Sequence, residues 1–211
     1  MKILHLSDTH GGHFWKYPIA SDIDVVCHTG DLCPDPPYLV DFISGQTEWI
    51  KSHVKEINKW IGSKPFLYVQ GNHDFIEVGE FVNAIKLTST PLHLLGEQWC
   101  GMSEVPYING MWNHEADKYE MMAAVDKVIS ANGTILLCHT PPSGILSQQW
   151  GCSSLTLQLM NRDHRYKAIL FGHVHLEQYQ QIIVGGYLFS NAAVHTDDRS
   201  VNLKGFEVVI D

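Results

Sequence analysis

The chain reads as an α/β protein that finishes in consecutive strands: a layered domain with two sheets packed face to face and helices outside. Three observations carry that reading. Short apolar runs recur along the first two thirds, bounded by Gly, Pro or Asp, and read as buried strands. Stretches with a helical apolar stripe alternate with them. After Gly172 the alternation stops and strand-like runs follow one another, two of them joined by Gly185-Gly186, a hairpin signal.

In chain order, Ile3 to Leu6 and Val25 to Cys27 are the first two strands. Ile50, Val54, Ile57 and Ile61 then recur at i, i+4, i+7 and i+11, one buried helix face with Trp49 and Trp60 beside it. Gly62 and Pro65 stop that helix, and Phe66 to Val69 is the third strand. Segment 98–114 has no clean period and reads as a strand plus a loop over the site. A helix is predicted over Ala116 to Ser130, with Met122, Val125 and Ile129 on one side and Asn132-Gly133 at its end. Ile135 to Cys138 is the next strand. Ser154 to Met160 is a shorter helix carrying Leu155 and Leu159, with Ser153 as its N-cap. The strands Ile169 to Phe171, Gln180 to Val184, Tyr187 to Ser190 and Phe206 to Ile210 complete the series.

Bulk composition narrows the class. No repeat or linker divides the 211 residues, so residues 1–211 are read as a single domain. Charged residues are 18% and apolar residues 45%, the balance of an ordered globule. A net charge of −9 argues against an extensive nucleic-acid surface, although bound cations would reverse the sign locally. Five cysteines without a C-x-x-C pair argue against a disulfide framework and for a reducing compartment. Met1-Lys2 leads straight into a strand that His5 and Asp8 interrupt, and no apolar stretch has the length of a membrane span. The expectation is a soluble cytoplasmic protein with no membrane partner and an oligomeric state the chain does not reveal.

Polar groups gather where the apolar runs end. They are Asp8-Thr9-His10, Gly30-Asp31, Gly71-Asn72-His73-Asp74, His139 within Cys138-His139-Thr140-Pro141-Pro142, and Gly172-His173-Val174-His175. Strand ends are where open α/β sheets build sites. Imidazole and carboxylate together suit first-row divalent metals, and this set is large enough for two.

The five motifs, in this order, resemble those of the calcineurin-like metallophosphoesterases over roughly residues 3 to 195. The resemblance implies a four-layer α/β/β/α sandwich with two mixed sheets packed face to face. It implies a first metal held by Asp8, His10, Asp31 and His175, and a second held by Asp31, Asn72, His139 and His173. Asp31 would then bridge, which a carboxylate can do because it offers two oxygens. His73 would face the scissile phosphate as a non-ligand and protonate the leaving oxygen, with Asp74 orienting it. Both cations would be divalent, Mn first, with Fe, Zn or Ni as alternatives, since Mg²⁺ prefers all-oxygen surroundings.

Within that family, Gly30-Asp31-Leu32-Cys33-Pro34 lacks the arginine that the protein-phosphatase branch carries after its Gly-Asp. The chain is also too short and too acidic for the nuclease branch. His139-Thr-Pro-Pro-Ser-Gly-Ile-Leu146 and Asn191-Ala-Ala resemble the small single-domain phosphodiesterase branch, which includes metallophosphoesterase-domain proteins of vertebrate brain and bacterial and phage relatives. Ser147 departs from it, at a place where an acidic residue is expected. The expected substrate is therefore a small phosphodiester, cyclic nucleotides included. A phosphomonoesterase or protein phosphatase is the alternative, and a metal-binding scaffold without turnover the second. His13 and His195 are candidate substrate contacts, and His5 and His28 are read as structural. The tryptophans are read as packing residues, with Trp112 and Trp150 as the exceptions.

Overall fold

The structure, a computed structural model, describes residues 1–36, 41–161, 163–177, 180–194 and 205–210. Two sheets dominate it. The first holds β1 (Lys2–Leu6), β2 (Val25–Thr29), β3 (Phe66–Val69), β4 (Ala84–Lys86) and β13 (Phe206–Val209), in the order β13-β1-β2-β3-β4. The second holds β5 (Leu92–Leu94), β6 (Glu97–Met102), β9 (Ile135–Cys138), β10 (Ala168–Phe171), β11 (Gln180–Val184) and β12 (Tyr187–Asn191), in the order β11-β12-β10-β9-β6-β5. Both are mixed: β1 to β4 are parallel with β13 antiparallel, and β6, β9, β10 and β12 are parallel between antiparallel β5 and β11. A short parallel pair, β7 (Val105–Pro106) with β8 (Glu115–Ala116), stands apart from them.

Alternate residues of each strand enter different cores, which explains runs that are apolar on both faces. Ile3, Val25, Cys27, Leu67 and Val69 meet Trp99, Ile135, Leu137 and Leu170 between the sheets. The intervening Leu4, Leu6, Val26, Phe66 and Tyr68 pack outward against Ile50, Ile57 and Ile61 of α1 (Phe42–Ile61). On the other side, Leu136, Cys138, Ile169 and Phe171 pack against α2 (Lys118–Ser130) and α3 (Ser153–Asn161). The layers are thus α/β/β/α, as the sequence predicts.

Two local expectations change. Met121, Val125, Val128 and Ile129 form the buried face of α2, while Met122 is 43% exposed; the stripe starts one residue earlier than read. Ser153 lies inside α3, and the Cys152 thiol rather than Ser153 accepts a first-turn amide, that of Leu155. Among the described residues, no helix is long and apolar enough to cross a membrane.

Candidate metal centre

Asp8, Asp31 and Asn72 follow the C-terminal ends of β1, β2 and β3; His139 and His173 follow those of β9 and β10. Asp8, His10, Asp31 and His173 take φ of 53°, 42°, 55° and 67°, a left-handed conformation that ordinary residues adopt only when the surroundings impose it. Backbone bonds impose it here. Asp8 N–H donates to Gly30 O at 2.9 Å, and His10 N–H to Asp31 O at 2.9 Å, so the first two loops are laced together. Two glycines permit the remaining approaches. A Cβ on Gly71 would lie 2.1 Å from an Asp31 oxygen, and one on Gly172 would lie 2.1 Å from an Asp8 oxygen.

The expected ligands converge. Asp31 Oδ2 faces His139 Nε2 at 3.2 Å and His10 Nε2 at 3.8 Å, and Asp8 Oδ1 faces His175 Nε2 at 3.1 Å. His139 Nε2 is also 3.1 Å from Asn72 Oδ1 and 3.2 Å from His173 Nδ1. Asp8, His10 and His175 bring donor atoms within 4.8 Å of one another, as do Asp8, Asp31 and His139. Asp8, Asp31, Asn72 and His139 are buried.

This donor set fits divalent cations on its own geometry. His139 Nδ1 lies 2.8 Å from the Thr29 carbonyl, which places a proton on that nitrogen. In the neutral ring, Nε2 then presents a lone pair to carboxylate and amide oxygens, an arrangement a cation satisfies. A proton satisfies it in the cation's stead. Burial opposes charge on His139, but the Asp31 and Asp8 carboxylates prevail and push it up to about 9. Asp31 shows the converse balance: burial works against its charge, yet the imidazoles hold its carboxyl well below the usual range. Burial pushes His10 and His173 down to about 4, so both are neutral near pH 7 and ready to coordinate.

His73 sits at the edge of this cluster, its ring edge-on to His10 at 4.9 Å. The carboxylate that orients it is not the one expected. Asp35 Oδ1 meets His73 Nδ1 at 2.6 Å. Asp74 Oδ1 instead accepts the backbone N–H groups of Leu32 and Cys33, and its Oδ2 that of Gly71, so it ties the second loop to the third. The physical reason is direction: neighbouring side chains in a tight turn point apart, while Asp35 arrives from the loop after β2. Its sequence signal was a second acid four residues beyond Asp31. His73 is further held through its backbone, whose N–H donates to Asp31 Oδ1 at 2.8 Å and whose carbonyl accepts from buried Gln46 at 2.6 Å. Burial disfavours charge on the ring, but Asp31 and Asp35 outweigh it and push His73 up to about 9. His10, Asp35 and His73 also bring donor atoms within 4.8 Å.

The substrate-contact candidates fare differently. His13 is exposed and lies beside Trp15 and His53, over α1, not among the site rings. His195 lies outside the described residues. His5 and His28 are structural, as read: His5 meets Ser190 of the other sheet and Thr29 of the neighbouring strand, and His28 braces Thr9 and Gly30. Ser147 closes a turn on Gly144 N–H at 2.8 Å.

A strand-end centre of carboxylates and imidazoles inside an α/β/β/α sandwich defines the metallophosphoesterase class. Residues 1–177 match the calcineurin-like phosphoesterases, and the chain belongs to that family. Membership supports phosphoester hydrolysis in general and implies a dinuclear divalent metal centre. The chain is similar to metallophosphoesterase domain-containing protein 1 of Homo sapiens and of Mus musculus, 25% identical in each case over 82% of this chain. It spans 60% of the length of those relatives. A UPF0046 protein of Caenorhabditis elegans is 26% identical over 92% of this chain and 69% of its own. Among solved structures, GAP50, the anchor in the inner membrane complex of Plasmodium, shares the fold at a TM-score of 0.52 and 12% identity, covering 92% of this chain and 71% of its own.

Proposed function

We propose that the protein is a phosphodiesterase acting on small diesters, cyclic nucleotides among them. The observation that carries the reading is the division of labour at Asp31. One carboxylate faces imidazoles from both expected metal positions while its other oxygen fixes the backbone of His73, which stands aside from the ligands. Asp8, His10, Asp31 and His175 would hold one cation and Asp31, Asn72, His139 and His173 the other; bound there, they would supply charge stabilisation and an activated water. Mn²⁺ suits the mixed imidazole and carboxylate set, with Fe, Ni²⁺ or Zn²⁺ as alternatives.

The chain's own part in the reaction centres on His73. With Nδ1 engaged by Asp35, Nε2 is the nitrogen left to give its proton to the leaving oxygen as the phosphorus–oxygen bond breaks and water's oxygen joins phosphorus. A chain at −9 offers a substrate few cationic side chains, so recognition rests on one phosphate and its immediate neighbours. The test is kcat/KM for bis-nitrophenyl phosphate, nitrophenyl phosphate, cyclic nucleotides and duplex DNA at two salt concentrations. Chelated protein should be inactive and regain activity with Mn²⁺. The diesters should win, with weak salt dependence. Preference for the monoester moves the protein to the phosphatases, and no turnover by metal-loaded protein makes it a scaffold.

A further inference from the structure

Trp112 lies in the stretch without a readable pattern, and its indole rests against the His73 imidazole, ring centroids 4.1 Å apart and planes 32° apart. No regular element carries it there. The loop is knotted by one side chain: Glu115 Oε2 accepts the N–H groups of Ile108, Asn109 and Gly110 at 2.9, 3.0 and 2.7 Å, and Oε1 that of Trp112 at 2.9 Å. The knot is then fastened to the motif that contains His73. Asn113 N–H donates to Asn72 O at 3.0 Å, and the Asn113 amide donates to Asp74 O at 2.5 Å. The residues on either side of His73 therefore carry the loop whose indole covers its ring.

The surrounding aromatics belong to the same arrangement. Phe42, in the first turn of α1, meets Trp112 edge-on at 5.9 Å and stacks on Phe75 at 4.3 Å. Among the described residues, the three main core clusters are built without Phe42, Phe75 or Trp112. Their packing serves the edge of the site.

We infer that Trp112 is a positioning residue for His73, an inference that rests on reading His73 as the proton donor. The hydrogen bond that Nδ1 donates to Asp35 fixes one ring nitrogen but leaves the imidazole free to rock about that contact. A flat indole against the ring face removes this freedom and sets the plane in which Nε2 meets the leaving oxygen. Misplacement of a catalytic group by about 1 Å is enough to cost roughly 10²-fold in rate. Glu115 acts one step further back, by fixing the loop.

The experiment uses the metal-loaded full chain and aryl methyl phosphodiesters of graded leaving-group acidity. Trp112→Leu should keep the metal content and KM near wild type. Its kcat should fall roughly ten-fold for the phenyl ester and about two-fold for the nitrophenyl ester, which needs less protonation. Trp112→Phe should restore most of the loss, and Glu115→Gln should give a weaker form of it. In ¹⁵N-labelled, metal-free protein, the His73 ring signals should be sharp and broaden in Trp112→Leu. Equal loss for all esters overturns the inference, as general damage; so does an effect on KM alone, which would make the indole a wall for substrate. If metal-loaded wild type cleaves none of the esters, the phosphodiesterase reading fails, and the ring signals still decide whether Trp112 orders His73: unchanged signals overturn it.

Discussion

The two sheets bring dissimilar chemistry to their common edge. The first supplies oxygen, through Asp8, Asp31 and Asn72 at the ends of β1, β2 and β3, with His10 added from the loop. The second supplies only nitrogen, through His139, His173 and His175 beyond β9 and β10. Neither half is a sound site alone. Buried carboxylates side by side repel, and buried imidazoles shed their protons, as His173 at about 4 does. Face to face, each half offsets the other: the imidazoles lower the carboxylates, and the carboxylates raise His139 and His175.

Asp31 is where the halves meet, and removing its charge is expected to have the largest effect. Asp31→Asn keeps the shape but deprives both expected metal positions of their shared anion. Metal analysis should fall from about two equivalents to below one, with activity lost to background. Retention of both metals and measurable turnover would show that the halves are independent after all.

The next effect separates the proposed proton donor from the proposed ligands. His73→Ala should leave metal content near wild type while kcat falls by roughly 10²–10⁴. Asp35→Asn should give a milder defect of the same kind. Asp74→Asn should act elsewhere: its carboxylate holds three backbone N–H groups, so the loss should appear as lowered thermal stability, of about 1–3 kcal/mol. Should Asp74→Asn reproduce the His73 kinetics while Asp35→Asn does not, the assignment of the orienting carboxylate is reversed.

What could be read in the chain, and what could not, follows the same division. Strands buried on both faces leave continuous apolar runs, and the polar residue after each run marks a strand end; Asp8, Asp31, Asn72, His139 and His173 were visible for that reason. Short β4 and β5 leave no such mark, because each is three residues long, with its middle residue exposed and the others only half-buried. Asp35 was missed because its partner is 38 residues away, and adjacency in sequence favoured Asp74. The loop over His73 is held by a side chain binding backbone amides, an interaction with no period to detect.

The smallest expected effect is titration, which distinguishes the two halves without a mutation. Between pH 6 and 8 the two expected carboxylate ligands do not change: Asp8 and Asp31 are both held below their ordinary range despite burial, while burial and Asp31 raise Asp74 beside them to about 6. His10 and His173, at about 4, are already neutral. His139 is charged until about 9 and must lose its Nε2 proton to coordinate a cation, and His175 is raised in the same direction, burial again being outweighed by Asp8. Cation binding to stripped protein therefore releases protons, and affinity should rise with pH, by about ten-fold per unit for each proton released, before levelling above the His139 pKa. Calorimetric titration of Mn²⁺ at pH 7 in two buffers of different ionisation heat counts those protons directly. Asn72→Ala, on the oxygen side, should weaken binding but keep the slope, whereas His139→Ala should flatten it. An affinity that is level from pH 6 to 8 in the wild type would mean that the imidazole half waits unprotonated, and that no proton stands in for the cation between the sheets.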